Sequence, residues 1–143
     1  MSDFQEYVDQ AEIDLKIDSN DLDGSAITTP LIYVRYQNKL AKETRKLNGL
    51  LQKKAKLDKK RWRYYLGKGS AEDYKKEPFN DTVLKTDADK YLKADPLIQE
   101  MDTLLNEQRL IVKFLENCCS QITQRSFLIR EAVAYRKLQF GDA

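Results

Sequence analysis

With 143 residues and no histidine, the chain has length for one domain or one long helical protomer, and it forgoes the Ser-His-Asp triad, the Cys-His dyad, the HExxH zinc site and any histidine proton shuttle. Charged residues make up 34% of it, with only five Gly and three Pro, a balance that suits helices better than a turn-rich sheet protein. The formal net charge of +2 looks neutral only because strongly unbalanced stretches offset one another.

Residues 1–29 hold eight acids (Asp3, Glu6, Asp9, Glu12, Asp14, Asp18, Asp21, Asp23) and one base, Lys16, so the stretch carries 1 − 8 = −7. It lacks the basic and apolar regions of an export signal, so a protein that stays in the cytoplasm is expected. Phe4, Val8 and Ala11 recur at helical spacing and allow a short amphipathic helix. Two readings stand side by side: a solvated acidic tail, or a segment that docks on a basic surface, its own or a partner's. Asp18-Ser19-Asn20-Asp21-Leu22-Asp23-Gly24 imitates a calcium loop. With Gly24 at the required sixth position, however, Pro30 falls where a bidentate Glu must stand, so no metal is expected and the stretch reads as a linker.

Thr29-Pro30 reads as an N-cap followed by proline at the first helical position. No other Pro occurs until Pro78, and Gly49 is the only Gly between Pro30 and Gly67, so the spacing predicts a helix of about 37 residues, roughly 55 Å long. Tyr33, Tyr36, Leu40, Leu47, Leu50, Leu57 and Tyr64 follow a seven-residue repeat and form a packing seam. Gly67 closes the helix as its C′ residue. Gly67-Lys68-Gly69 is too short to be a phosphate-binding P-loop.

The charge of this helix is its signature. From Lys39 to Lys68 there are twelve Lys or Arg against Glu43 and Asp58, a net of 12 − 2 = +10, more than solubility requires. Lys59-Lys60-Arg61-Trp62-Arg63-Tyr64-Tyr65 interleaves four cations with three aromatics. Duplex readers insert a helix and read base edges, whereas single-strand binders combine a backbone-tracking positive surface with aromatic planes on which bases stack. The interleaving favours the second. The expected DNA contacts are Lys54, Lys56, Lys59, Lys60, Arg61, Arg63 and Lys68, with Trp62, Tyr64 and Tyr65 as aromatics; Trp62 and Tyr64 either stack bases or pack in the core. The polar face is not opposed by a continuous apolar face suited to a bilayer, and no membrane role is expected.

Between Ser70 and Asp95, two capping boxes with Asp in place of Glu, Ser70–Asp73 and Thr86–Asp89, predict two short helices separated by Pro78. Asp95-Pro96 repeats the cap-then-proline signal, and no Gly or Pro follows until Gly141, which predicts a second long helix over 96–139. Its apolar face is wide enough that one antiparallel partner would leave part of it in water. Self-association through Leu104, Leu105, Ile111, Val112, Leu115, Ile122, Ile129 and Val133 is therefore expected. Cys118 and Cys119, adjacent on this helix, point apart and read as small core residues in a reducing compartment.

The chain thus divides into an acidic segment 1–29, a basic helix 30–69, short helices over 70–95 and an oligomerisation helix 96–143. Leu57-Asp58-Lys59-Lys60-Arg61-Trp62-Arg63-Tyr64-Tyr65-Leu66-Gly67-Lys68-Gly69 resembles the LKARLDYYSGxG motif of the UvsY recombination mediators of T4-like bacteriophages. The similarity continues through Val83-Leu84-Lys85, Leu92-Lys93-Ala94-Asp95 and Arg125-Ser126-Phe127-Leu128-Ile129-Arg130. The resemblance implies an all-α protomer that assembles through its C-terminal helix into a closed or open, barrel-like ring, a heptamer or alternatively a hexamer. It also implies binding of single-stranded DNA without sequence specificity, no catalysis and no cofactor. Its partners would be a RecA-like recombinase and the single-strand-binding protein that coats the strand, in the cytoplasm of an infected bacterium. The motif's DNA-binding Lys and Arg fall on Lys59 and Arg61, while Lys60, Trp62 and Arg63 replace small, aliphatic and acidic residues. From another class, a non-enzymatic coiled-coil adaptor whose basic helix binds an acidic protein fits the same charge pattern.

Overall fold

The computed structural model describes residues 3–141, and their secondary structure is all α-helical. Five helices follow in order: α1 Asp3–Asp14, α2 Leu22–Tyr65, α3 Ala71–Lys76, α4 Ala88–Ala94 and α5 Pro96–Gln139. They form two compact units. One holds the chain up to Thr44 and from Arg109 onward, the other Arg45–Gln108.

In the first unit α1, α2 and α5 share a core of Ala11, Ile32, Tyr36, Ile111, Leu115, Cys118, Cys119 and Ile122, with Phe4, Tyr7, Leu15, Leu40 and Phe114 at its edge. The acidic segment is therefore no loose tail. Phe4 meets Phe114 edge-on at 5.5 Å, Tyr7 donates its hydroxyl to Glu43 at 2.9 Å, and Tyr36 donates to Asp14 at 3.0 Å. Burial and the facing carboxylates push the Tyr7 phenol up to about 12 and the Tyr36 phenol higher still, so both remain donors at neutral pH. Apolar packing and these two bonds seat α1 on α2.

The second helix starts eight residues earlier than the Thr29-Pro30 signal suggested. Asp21 is its cap, accepting from the Gly24 N–H at 3.0 Å, and a Cβ at position 24 would collide with that carboxylate. Pro30 then lies inside the helix, where it lacks the N–H that the Ala26 carbonyl would receive. The carbonyls of Gly24 and Ser25, one turn upstream, receive side-chain donors as well. Thr28 donates to Gly24 O at 3.0 Å and Thr29 to Ser25 O at 2.8 Å. Arg125 of α5 donates to Ser25 O at 2.8 Å and to Thr29 Oγ1 at 2.9 Å. Thr29 is thus a back-bonding residue within the helix, not its cap.

At its far end α2 closes as the sequence indicates. Gly67 adopts φ +76, with Lys68 N–H donating to Arg63 O at 2.8 Å and Gly67 N–H to Tyr64 O at 3.2 Å, the paired bonds of a Schellman turn. Nothing lies near a Cβ placed there, so Gly67→Ala tests backbone conformation without a clash. The urea midpoint should fall by the equivalent of about 1 kcal/mol, with the helical circular dichroism of the native state unchanged.

The Ser70–Asp73 capping box forms in full at α3. The second expected box does not: Asp87 rather than Thr86 precedes α4, and it makes no side-chain cap bond. Helix α5 spans the expected 96–139, with Asp95 Oδ1 accepting from Leu97 N–H at 2.7 Å.

The apolar face of α5 needs correction. Leu105, Ile111, Val112, Leu115, Ile122 and Ile129 are buried within the protomer; for Ile111, Leu115 and Ile122 the reason is that α1 supplies a third helix to their core, so that α5 does not rest on α2 alone. Of the eight residues expected at an oligomer interface, Leu104 and Val133 stay exposed. Leu110, Phe127, Leu128, Tyr135, Leu138 and Phe140 are exposed with them.

Candidate nucleic-acid interface

In the second unit the C-terminal half of α2 presents two chemically distinct faces. Residues three and four apart share a helix face, so Lys56, Lys59, Lys60 and Arg63 lie together, and all four are exposed. Lys53 continues that face by one turn and Lys68 follows the Gly67 turn, both exposed as well. Lys56, Lys59, Lys60, Arg63 and Lys68 make no ion pair among the described residues. Four neighbouring cations over about two turns of helix form a positively charged strip held in no ion pair among the described residues.

The other face turns inward, and here the structure departs from the sequence reading. Arg61 is 6% exposed and Tyr64 only 2%; Tyr65 is buried with them. Arg61 Nε donates to Asp95 Oδ2 at 2.6 Å, Nη1 and Nη2 donate to Glu77 at 3.3 and 3.4 Å, and its plane lies 4.3 Å from the Tyr64 ring centroid. Burial works against the Arg61 charge, but the bonds to Asp95, Tyr65 and Glu77 outweigh it and raise its pKa. Burial would likewise raise the Asp95 carboxyl. Hydrogen bonds from Tyr65, Arg61 and the Leu97 amide win, and its pKa lies below the usual carboxylate value.

Around this pair Tyr64, Tyr65, Tyr74, Phe79 and Tyr91 form an aromatic cluster. Tyr64 stacks on Tyr74 at 5.2 Å and meets Tyr65 edge-on at 5.2 Å, while Phe79 and Tyr91 each lie within 5.5 Å of Tyr65. The hydroxyls are also engaged: Tyr64 donates to Glu77 O at 2.7 Å, and Tyr74 donates to Tyr64 O at 2.7 Å. Tyr64 and Tyr65 are core residues, with no ring face left for a base. Trp62 differs. It is half-buried, and Lys68 Nζ sits 5.8 Å from its ring, so an aromatic plane and a cation adjoin at the edge of the cationic strip. Lys54 is half-buried and bound to Asp102 at 3.0 Å and Asp58 at 3.6 Å, and the Asp102 bond raises its pKa.

Glu77, Tyr74 and Phe79 did not stand out in the sequence, and Asp95 did so only as the cap of α5, yet a signal for the inward face was present. Alternate steps of four and three from Tyr36 run through Leu40, Glu43, Leu47, Leu50, Lys54, Leu57 and Arg61 to Tyr64, and backwards through Ile32, Thr29 and Ser25 to Leu22. Tyr33, expected on the seam, is out of this frame and exposed. Reading only apolar residues hid the polar members. Glu43 and Arg61 occupy seam positions and are buried.

The sequence profile described as recombination, repair and ssDNA binding protein UvsY matches residues 10–142, nearly the whole chain. The chain belongs to the UvsY family. The recombination protein uvsY of Enterobacteria phage T4 is 27% identical over 140 residues, covering 96% of this chain and 97% of the relative. Crystal structures of the bacteriophage T4 recombination mediator protein UvsY share the fold. One, of lattice type II, has a TM-score of 0.86 at 22% identity and covers 97% of this chain and 98% of its own. Another, of lattice type IV, has a TM-score of 0.84 at 22% identity and covers 96% and 99%. UvsY proteins are thus the recombination, repair and single-strand-binding family in which the cationic strip on α2 is to be understood.

Proposed function

We propose that this UvsY-family protein is a recombination mediator. It binds single-stranded DNA without sequence specificity through Lys56, Lys59, Lys60, Arg63 and Lys68, with Trp62 offering a plane for a base. By constraining the strand it loosens the coating single-strand-binding protein and promotes loading of a RecA-like recombinase, in the cytoplasm of an infected bacterium. The role is one of binding and not of catalysis. The observation that carries the reading is the set of exposed cations at 56, 59, 60 and 63, held in no ion pair among the described residues and flanked by a half-open tryptophan. Such a strip tracks phosphates and reads no base edges, which is the requirement for a protein that must act on any sequence.

A single strip of this kind binds weakly, and an array of protomers on one strand raises avidity without new contact chemistry. Exposed Phe127, Leu128, Val133, Tyr135, Leu138 and Phe140 support a homo-oligomer, a ring of seven or six copies, since such a run of apolar side chains in water favours association. A Leu128→Glu/Leu138→Glu variant should sediment as a protomer and bind single strands about 100-fold or more weakly; an unchanged assembly would place the interface elsewhere.

Fluorescence anisotropy with labelled single- and double-stranded oligonucleotides at two salt concentrations tests the function itself. Saturable binding that prefers the single strand and weakens steeply with salt is expected. Neither saturation nor strand preference would mark the protein as an adaptor for an acidic partner.

A further inference from the structure

We propose that Arg61 is a positioning residue for the single-strand interface and not one of its phosphate contacts; this rests on the reading that the exposed strip of α2 holds the strand. The guanidinium has both its Nε and its Nη donors engaged, with two aromatic rings beside it. Its Nε lies 2.6 Å from Asp95 Oδ2, its Nη atoms reach both oxygens of Glu77, and Nη2 also reaches the Tyr65 hydroxyl. The rings of Tyr64 and Tyr65 cover it at 4.3 and 5.3 Å. A phosphate would have to displace Asp95, buried to 1% exposure, to meet Nε, and Glu77 to meet the Nη atoms of a side chain that is itself only 8% exposed. One cation between two carboxylates also adds no positive potential at the surface.

The geometry instead makes Arg61 a joint. It ties α2 to Glu77, which caps the C-terminus of α3, and to Asp95, which caps the N-terminus of α5. A helix turns by about 100° per residue, so a side chain locked inward at 61 turns Lys59, Lys60 and Arg63 by at least that angle toward solvent. Arg61 thereby sets which face of α2 the strand meets. The role needs a planar fork that spans two carboxylates, which a lysine ammonium cannot supply.

Two variants separate position from charge. Arg61→Lys keeps the charge and loses the fork; it should lower Tm by about 5 °C or more and weaken single-strand binding. Arg61→Met/Asp95→Asn removes the buried pair together, a change that buried ion pairs often tolerate. This double variant should regain Tm and bind single strands with the wild-type affinity and salt slope. Wild-type-like binding by Arg61→Lys, together with a salt slope shallower in the folded double variant by about 0.7, the share of a single phosphate, would overturn the proposal.

Should the double variant fail to fold, arginine-selective dicarbonyl labelling of the unaltered protein, mapped by peptide mass, decides. Arg63 should react and be protected by an oligonucleotide, while Arg61 stays unreactive with and without it. Reaction of Arg61 in the free protein and its protection by DNA would overturn the proposal. A Lys59→Ala/Lys60→Ala variant run alongside distinguishes the underlying reading. If that variant binds like the unaltered protein, the strand does not lie on this face and the interface assignment itself fails.

Discussion

Replacing Lys56, Lys59, Lys60 and Arg63 together by alanine should nearly abolish single-strand binding while leaving the fold and assembly intact. Counterion release contributes a slope of about 0.7 in log K against log salt for each phosphate neutralised on single strands, so leaving four phosphates without their cations flattens the slope by about 2.8. At 0.15 M salt this amounts to roughly a 200-fold loss of affinity per engaged protomer. Stability should hardly move, because all four side chains are exposed and exposed charges contribute little to folding. A titration series at three or more salt concentrations reads both quantities. A slope unchanged in the quadruple variant would remove the strip from the interface. The contrast with position 61 is the informative part: adjacent cations in one motif should differ in whether their loss is felt as salt slope or as stability.

The second large effect concerns Asp95. Its carboxylate receives Arg61 Nε at 2.6 Å and the Tyr65 hydroxyl at 2.7 Å, and its other oxygen caps α5 through the Leu97 amide at 2.7 Å. Asp95→Ala removes the cap and strands a buried guanidinium with Glu77, itself largely exposed. Breaking a buried pair from one side costs about 3 to 5 kcal/mol, a large share of the stability of a small domain. Chemical denaturation should show the loss directly, and Asp95→Asn, which keeps an oxygen for the cap, should lose less. The pH dependence has a definite sign. Because the folded carboxyl has its pKa lowered, its stabilisation is complete above the unfolded value of about 3.9 and is lost as pH falls through the lower folded value. The unaltered protein should therefore weaken in that acid window, and Asp95→Asn should lack this part of the weakening. An identical acid profile for both would show that the pair does not stabilise the charged carboxylate.

Much of the helical layout was legible in the order of residues, because its signals act over a few positions. Asp95-Pro96 started α5, Gly67 closed α2, and Ser70 with Asp73 capped α3, each through bonds to amides within one turn. The same locality explains the failures. Thr29-Pro30 carries the local chemistry of a helix start, yet the helix runs through it, and Thr29 is instead held by Arg125, 96 residues away. Thr86 resembled a cap on spelling alone and makes no cap.

The candidate site shows the same division more sharply. Composition and spacing by themselves determined that this is an all-α chain with a concentrated cationic stretch on one long helix, and the motif around Lys59 pointed to UvsY. Both properties depend on neighbours in the chain, so the order of residues was sufficient. Only the tertiary structure decided that Lys59 and Arg61, two residues apart, have opposite fates. Asp95 lies 34 residues from Arg61 and Glu77 lies 16 residues away, and no local rule states that those carboxylates and the rings of Tyr64 and Tyr65 converge on one guanidinium. Burial is a property of what packs against a face, and the elements that pack against α2 are distant in sequence. The charge was written in the chain; which charges meet the solvent was settled by packing.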